Sequence, residues 1–263
     1  MSLIYDSIVI GAGAAGLFAA ATAGRRGKRV LVVEHSAQPG AKILISGGGR
    51  CNFTNRLVTA ANFISGNPHF AKSALARFTP DDFLELVRKH HIRFHEKTMG
   101  QLFCDTSARV VLDMLLAECS AGNVEIKTSC NVTAVSRDTR FTVETSLGTF
   151  SSTSLVIAAG GLSIPKLGAT DFGYRTARQF GLKVVTPYPA LVPLVFGGED
   201  RKRWSDLAGV STAVRAACGE GSFEEKLLFT HRGVSGPAML QVSSYWKPGA
   251  AVTVDLLPGR TFD

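Results

Sequence analysis

Three glycines near the start of the chain carry its most informative spacing. Gly11, Gly13 and Gly16, with Ala14 and Ala15 before the last of them, form a Gly-x-Gly-x-x-Gly turn. A turn of this kind accepts the pyrophosphate of a dinucleotide. The first glycine allows a tight change of direction from strand to helix. The second leaves the backbone bare for the phosphates, and the third lets the helix pack closely on the sheet. Glu34 follows about twenty residues later, where a carboxylate accepts hydrogen bonds from ribose hydroxyls and repels a 2′-phosphate.

A second stretch, Ser46-Gly47-Gly48-Gly49-Arg50-Cys51-Asn52, has the character of a binding loop. Three consecutive glycines suit neither helix nor strand, and they let backbone approach a flat ligand without side-chain interference. Arg50 offers a cation to phosphate or ring oxygens, and Asn52 offers an amide to a ring edge. Cys51 offers a thiol. Disulfide chemistry beside a cofactor needs two nearby cysteines, so Cys51 is expected to be inert.

The elements that must position these residues follow from pattern. Residues 4–10 (IYDSIVI) are apolar and β-branched and too short for a helix, so they read as a strand. An Ala-rich helix runs from the turn to Arg26, and residues 30–33 (VLVV) form a second strand ending at Glu34. Residues 68–91 read as helical, with Thr79-Pro80-Asp81-Asp82 marking a helix start at Thr79. Residues 92–94 and 101–104 suggest a hairpin around Gly100, and residues 107–121 another helix. From 124 to 158 short strands succeed one another as an antiparallel meander, leading into residues 155–161 (LVIAAGG), a buried strand ending in small residues. A helix over 173–180 follows. Pro187, Pro189 and Pro193 then mark a boundary, giving a first domain over 1–188 and a second, mainly β domain over 189–263. In the second, strands are expected over 192–196, 212–217, 226–229 and 251–256. A helix over 237–245 is expected with Ser235 as its N-cap.

Composition narrows the class. An apolar content of 45% supports a real core, and no apolar stretch is long enough to cross a membrane. The chain enters its first strand directly, with no basic-then-apolar leader expected. Five scattered cysteines (Cys51, Cys104, Cys119, Cys130, Cys218) without a C-x-x-C argue for a reducing compartment, hence a cytoplasmic protein. No metal site is expected, since His90, His91 and His95 have no accompanying acid or thiol cluster. The net charge of +8 comes without a run of five basic residues. A solvated basic surface plus a diphosphate site is the expectation, with nucleic acid an unlikely partner.

With these motifs in view, the chain resembles the glutathione-reductase-like FAD-binding fold. Three further stretches are similar to the BaiN-type, aminoacetone-oxidase-like (YhiN-like) family of NAD(P)/FAD-dependent oxidoreductases. They are GAKILISGGGRCNFTN at 40–55, PALVPL at 189–194 and LFTHRGVSGP at 228–237. The resemblance runs from about Tyr5 to the last residue. It implies an α/β architecture, a Rossmann-type FAD domain with an antiparallel meander plus part of an inserted β-barrel-like domain. It implies FAD, with adenosine near Glu34, pyrophosphate at Gly11–Gly16 and flavin near Ser46, Gly47, Gly48, Gly49, Arg50, Cys51 and Asn52. Lys42, just ahead of that loop, joins this set. Val132 would approach the adenine side by its backbone, and Ala159, Gly160 and Gly161 would line the cofactor path. Reduction by NAD(P)H is implied, although no second dinucleotide loop is visible.

The resulting expectation is a flavin-dependent oxidoreductase acting on a small molecule, with no catalytic acid or base distinguishable by spacing. Two alternatives stand beside it: an RNA-associated flavoprotein, which the charge would suit, and a cofactor-binding module without catalysis. The family closes its flavin site with a late Gly-rich segment on a returning strand, absent before Asp263. Residues 251–256 are accordingly expected to lack a later strand to pair with.

Overall fold

The computed structural model describes residues 4–260 and divides into two units, Met1–Val184 and Val185–Asp263. The first begins with β1 (Ile4–Ile10), α1 (Ala14–Arg25) and β2 (Val30–Val33). Next come α2 (Ala41–Ile45), β3 (Asn52–Asn55), α3 (Lys72–Arg77) and α4 (Pro80–Lys89). After β4 (Phe94–Glu96) and β5 (Gln101–Cys104) comes α5 (Arg109–Ala121). The unit closes with β6 (Glu125–Lys127), β7 (Val132–Arg137), β8 (Phe141–Thr145), β9 (Gly148–Ile157) and α6 (Phe172–Gln179).

Its main sheet has the order β6-β2-β1-β9-β8-β7. The first four strands are parallel, and β8 and β7 complete an antiparallel meander with β9. This is the α/β FAD-binding, Rossmann-type architecture expected. All four residues of β2 are buried because both faces of the sheet are covered. Val30 and Val32 join the core with α1 and α5, while Leu31 and Val33 join the opposite core. Gly24 allows α1 to approach α5: a Cβ there would lie 2.5 Å from the Gly122 carbonyl oxygen.

The helical region splits in two at Phe78. Thr79 caps α4, its Oγ1 accepting from Asp82 N–H at 3.2 Å while Asp82 accepts from Thr79 N–H at 2.6 Å. The hairpin of β4 and β5 gains a third strand, β3, which the polar sequence NFTN did not signal. The buried Glu118 accepts hydrogen bonds from Arg25 (2.7 Å), Lys89 (2.8 Å) and His90 (2.7 Å), joining α1, α4 and α5. Burial opposes its ionisation, but the bonds from Lys89 and His90 and the charges of Lys89 and Arg25 hold it below the usual carboxylate range.

The second unit contains β10 (Leu194–Val195), α7 (Gly198–Trp204), β11 (Ser211–Cys218) and β12 (Gly221–Thr230). It ends with β13 (Gly233–Ser235), α8 (Pro237–Val242) and β14 (Thr253–Asp255). Five strands form an antiparallel sheet in the order β10-β13-β12-β11-β14, with α8 packed on its core. Two expectations are corrected here. Ser235 pairs with Leu228 inside β13, so the N-cap of α8 falls to Gly236. The last strand is not unpaired, because β14 turns back onto the earlier β11, Arg215 opposite Asp255.

Candidate functional site

The Gly-rich turn is fixed from three directions. Ile10 carbonyl accepts from Ala158 N–H of the chain leaving β9, and Gly11 N–H donates to Val33 carbonyl at the end of β2, both at 2.8 Å. Ala12 carbonyl accepts from Gly40 N–H at 2.9 Å. The glycines divide by what surrounds them. A Cβ at Gly16 would overlap the Gly11 carbonyl oxygen and press on Ala158 Cβ at 3.3 Å, so internal packing excludes a side chain there. At Gly13 a Cβ would meet nothing within 4 Å. The open space lies over the start of α1, which has no side-chain cap and no acid in its first turn. Its first N–H groups and the positive end of its dipole are therefore free for an anion, with Ala14 and Ala15 exposed beside them. A dinucleotide pyrophosphate fits this cradle.

Glu34 is 8% exposed and its carboxylate is already engaged. Oε2 accepts from Ala12 N–H at 2.7 Å and Oε1 from Ser36 N–H at 2.9 Å, with His35 Nδ1 at 3.0 Å from Oε1. The residue thus clasps the Gly-rich turn to the end of β2. Each oxygen keeps acceptor capacity for a ribose hydroxyl. Sequence reasoning missed this clasp, and also Ala12 and Ser36 as its partners, because backbone donors leave no trace in residue type.

The 46–52 loop follows α2. Ser46, Gly47, Gly48 and Gly49 form a kinked turn in which all three glycines have positive φ. Gly47 is crowded: a Cβ would lie 2.6 Å from Asn52 N and 2.9 Å from Phe103. Gly48 and Gly49 face open space. The loop is closed by Cys51 N–H to Ser46 carbonyl at 2.9 Å and held to the rest of the unit by Cys104 N–H to Arg50 carbonyl, also at 2.9 Å. Arg50 is exposed. Asn52 satisfies its surroundings with its amide nitrogen turned towards the carbonyls of Thr54 (3.1 Å) and Leu102 (3.3 Å), the orientation in which it donates to both. Burial pushes the Cys51 thiol up, against a hydrogen bond with Ser46 that lowers it. Cys104 is pushed up to about 11 by burial, then by neighbouring Cys51 and Asp105. Two cysteines do meet here, but both are buried and protonated at neutral pH.

Lys42 reaches across to the small-residue stretch after β9, donating to Gly161 carbonyl (3.3 Å) and Ser163 Oγ (3.4 Å). Ala159, Gly160 and Gly161 thus lie at the same end of the sheet as the Gly-rich turn, where a Cβ on Gly11 would touch Ala158 carbonyl and Ala159 Cα. Val132 begins β7 two residues beyond Cys130, whose N–H donates to Glu34 carbonyl at 2.8 Å. The histidines go elsewhere: His90 to Glu118, and His95 to Asp105 at 2.8 Å with its ring stacked on Phe103.

The HI0933-like protein Rossmann domain matches residues 5–243. The chain belongs to this family. Among its relatives, the ribosomal RNA dihydrouridine synthase of Escherichia coli (strain K12) is 52% identical over 97% of this chain and 64% of its own length. The protein of the same name in Haemophilus influenzae is 47% identical over 100% of this chain and 67% of its own. The 3-dehydro-bile acid delta(4,6)-reductase of Clostridium scindens is 29% identical over 95% of this chain and 64% of its own. The chain thus spans about two thirds of the length of these relatives.

Two corrections follow. The resemblance holds at the level of the Rossmann family, while the relatives near 50% identity are named for RNA and not for the BaiN-type branch. The same names overturn the expectation that nucleic acid is an unlikely partner. That expectation rested on the absence of a run of five basic residues. By unit the charge is uneven: residues 1–184 hold 21 Lys/Arg against 13 Asp/Glu, and residues 185–263 hold 8 against 8. No described helix is long and apolar enough to cross a membrane.

Proposed function

We propose that this chain is the FAD-binding part of a cytoplasmic enzyme that reduces uridine in ribosomal RNA to dihydrouridine. The observation that carries this reading is the 52% identity to the E. coli enzyme over 97% of the chain. Bound FAD, reduced by a nicotinamide cofactor, would supply a hydride that, with one proton, saturates the C5=C6 bond of uracil. The residues of this chain hold and orient. Gly13, Ala14 and Ala15 present backbone N–H groups to the pyrophosphate, and Gly11 and Gly16 keep the turn tight. Glu34 holds the turn and accepts from ribose, with Val132 on the adenine side. Ser46 to Asn52 flank the ring, while Lys42 fixes Gly160–Gly161 along the cofactor path and Ala159 borders it.

The test is a reaction of the full-length protein with NADPH and an unmodified ribosomal RNA transcript, read by nucleoside mass spectrometry. A uridine gaining two hydrogens is the expected product. Its absence, with flavin bound and reducible, overturns the reading. A second reading, reduction of a small conjugated enone, rests on the 29% identity to the bile-acid reductase. Both names describe hydrogen added across a double bond conjugated to a carbonyl, so one site chemistry would serve either substrate. Turnover of a 3-oxo-Δ4,6 steroid without turnover of RNA would favour it.

A further inference from the structure

Between Glu34 and Asp81 the chain runs 46 residues without one Asp or Glu, while carrying five Lys/Arg. The 46–52 loop lies inside this tract, and β3 carries the chain out of the loop onto an exposed surface. Four residues of strand span roughly 13 Å. Residues 61–70 are all exposed. Among them Phe63 is 43% and Phe70 is 70% exposed. Leu57, Ile64 and Phe78 are exposed in the same segment, so apolar side chains gather there instead of being scattered singly.

This segment is held in shape without regular structure. Arg56 N–H donates to Gly100 carbonyl at 2.9 Å, and its guanidinium meets Glu96 at 2.8 Å. A capping box of Thr59 and Asn62 closes one turn ahead of Phe63. Asn67 closes the next, accepting from His69 N–H at 3.0 Å and from Phe70 N–H at 3.1 Å. The two rings are therefore presented outward by locally closed turns. Beyond them Lys72 and Arg77 on α3, like Arg50 in the loop, are exposed and belong to no ion pair among the described residues.

We propose that residues 56–78 form the docking surface for the RNA strand, with Phe63 and Phe70 stacking unpaired bases and Arg50, Lys72 and Arg77 tracking its phosphates. This rests on the uridine-reductase reading, and the chemistry favours it. A uracil ring inside a duplex cannot be reached by a cofactor, so the target strand must be unstacked around the reacting base. Bases freed in this way gain most from aromatic faces beside cations that have no ion-pair partner. RNA is the occupant that the charge favours: Arg50, Lys72 and Arg77 have no ion-pair partner among the described residues, and a phosphate backbone supplies charges to answer them along its length.

The full-length holoprotein is tested by fluorescence anisotropy with a single-stranded ribosomal RNA fragment across a salt series, alongside flavin content and thermal unfolding. Phe63→Ala with Phe70→Ala should weaken binding about tenfold or more per ring, and Phe→Trp at both positions should restore it. Lys72→Glu with Arg77→Glu should lower the slope of log affinity against log salt by about 1.4, the value for two lost phosphate contacts on a single strand. Wild-type affinity and slope in all variants overturn the proposal, as does loss of binding only in proportion to lost flavin or fold. A change of oligomeric state or loss of a bound protein with RNA affinity intact assigns the surface to protein contact and overturns it too. The two readings fail separately. Absence of dihydrouridine with the wild type refutes the function, whereas normal RNA binding by the variants refutes only the surface.

Discussion

The two Gly-rich turns of the first unit use the same residue for opposite ends. In the turn at Gly11–Gly16, the outer glycines face inward: side chains there would meet the Ala158 carbonyl or the Gly11 carbonyl. Only Gly13 opens outward. In the 46–49 turn the balance is reversed, since Gly47 alone is crowded while Gly48 and Gly49 face open space. The first turn is a packed corner with one window. The second is an open ledge with one anchor. Glycine content by itself therefore says little about ligand contact, and the direction of each absent Cβ says a good deal.

The largest effect tests the corner. Gly16→Val should cost about 3 kcal/mol or more, because backbone rather than a flexible side chain occupies the space. Urea unfolding near wild-type stability would show that the turn relaxes easily and that the corner is not packed as described. Gly13→Val is the matched opposite. It should cost the fold about 1 kcal/mol or less while removing most bound FAD, read together as Tm and flavin-to-protein absorbance ratio. Full flavin occupancy would place the pyrophosphate elsewhere.

Glu34→Ala should weaken FAD binding on the order of 1–3 kcal/mol, since it frees the Ala12 and Ser36 N–H groups and removes an acceptor for ribose. Titration of apoprotein giving an unchanged Kd would mean that the clasp matters to neither turn nor ligand. The ledge is tested by pH. Cys104 titrates near 9.0 when unfolded and is pushed up to about 11 by burial in the fold. The raised value means its contribution is intact below pH 9 and is lost as pH rises towards 11, by on the order of 1–3 kcal/mol. Cys104→Ala should flatten that part of the stability profile, and an unaltered alkaline fall would assign it to other groups such as Cys119. The smallest effect is expected from Gly48→Ala. Its positive φ imposes roughly 1 kcal/mol of strain but no clash, so unfolding should shift slightly. A loss comparable to that of Gly16→Val would erase the distinction between corner and ledge.

How much of this was legible depended on how far apart in sequence the interacting groups lie. The β1–turn–α1–β2 unit and the Thr79 cap were legible because period, glycine spacing and capping chemistry act over a few residues. The three-residue β13, whose pairing displaced the expected cap at Ser235, was not legible, nor was the return of β14 to β11. Strand partners are chosen by the sheet, not by the strand's own residues. The charge signal was in the sequence, but a run of basic residues is too narrow a sign of it: the 46 acid-free residues around the second turn carry five cations without forming such a run.

The sequence by itself determined that residues 4–34 would build a strand–turn–helix–strand unit, since an apolar β-branched run, a Gly-x-Gly-x-x-Gly turn, an Ala-rich helix and a second apolar run follow one another at the spacing that unit needs. It also determined that β7, β8 and β9 would form a meander, because alternation and turn residues specify antiparallel neighbours, whereas β6, inside the expected 124–158 span, pairs parallel with β2 at the other edge of the sheet. Only the tertiary structure decided which glycines face a neighbour and which face open space. Ala158 stands 147 positions from Gly11, and no local preference brings them together. The same holds for Glu34, whose type suggested ribose but whose buried carboxylate is claimed first by two backbone N–H groups, because a desolvated charge must be satisfied by the nearest donors the fold supplies.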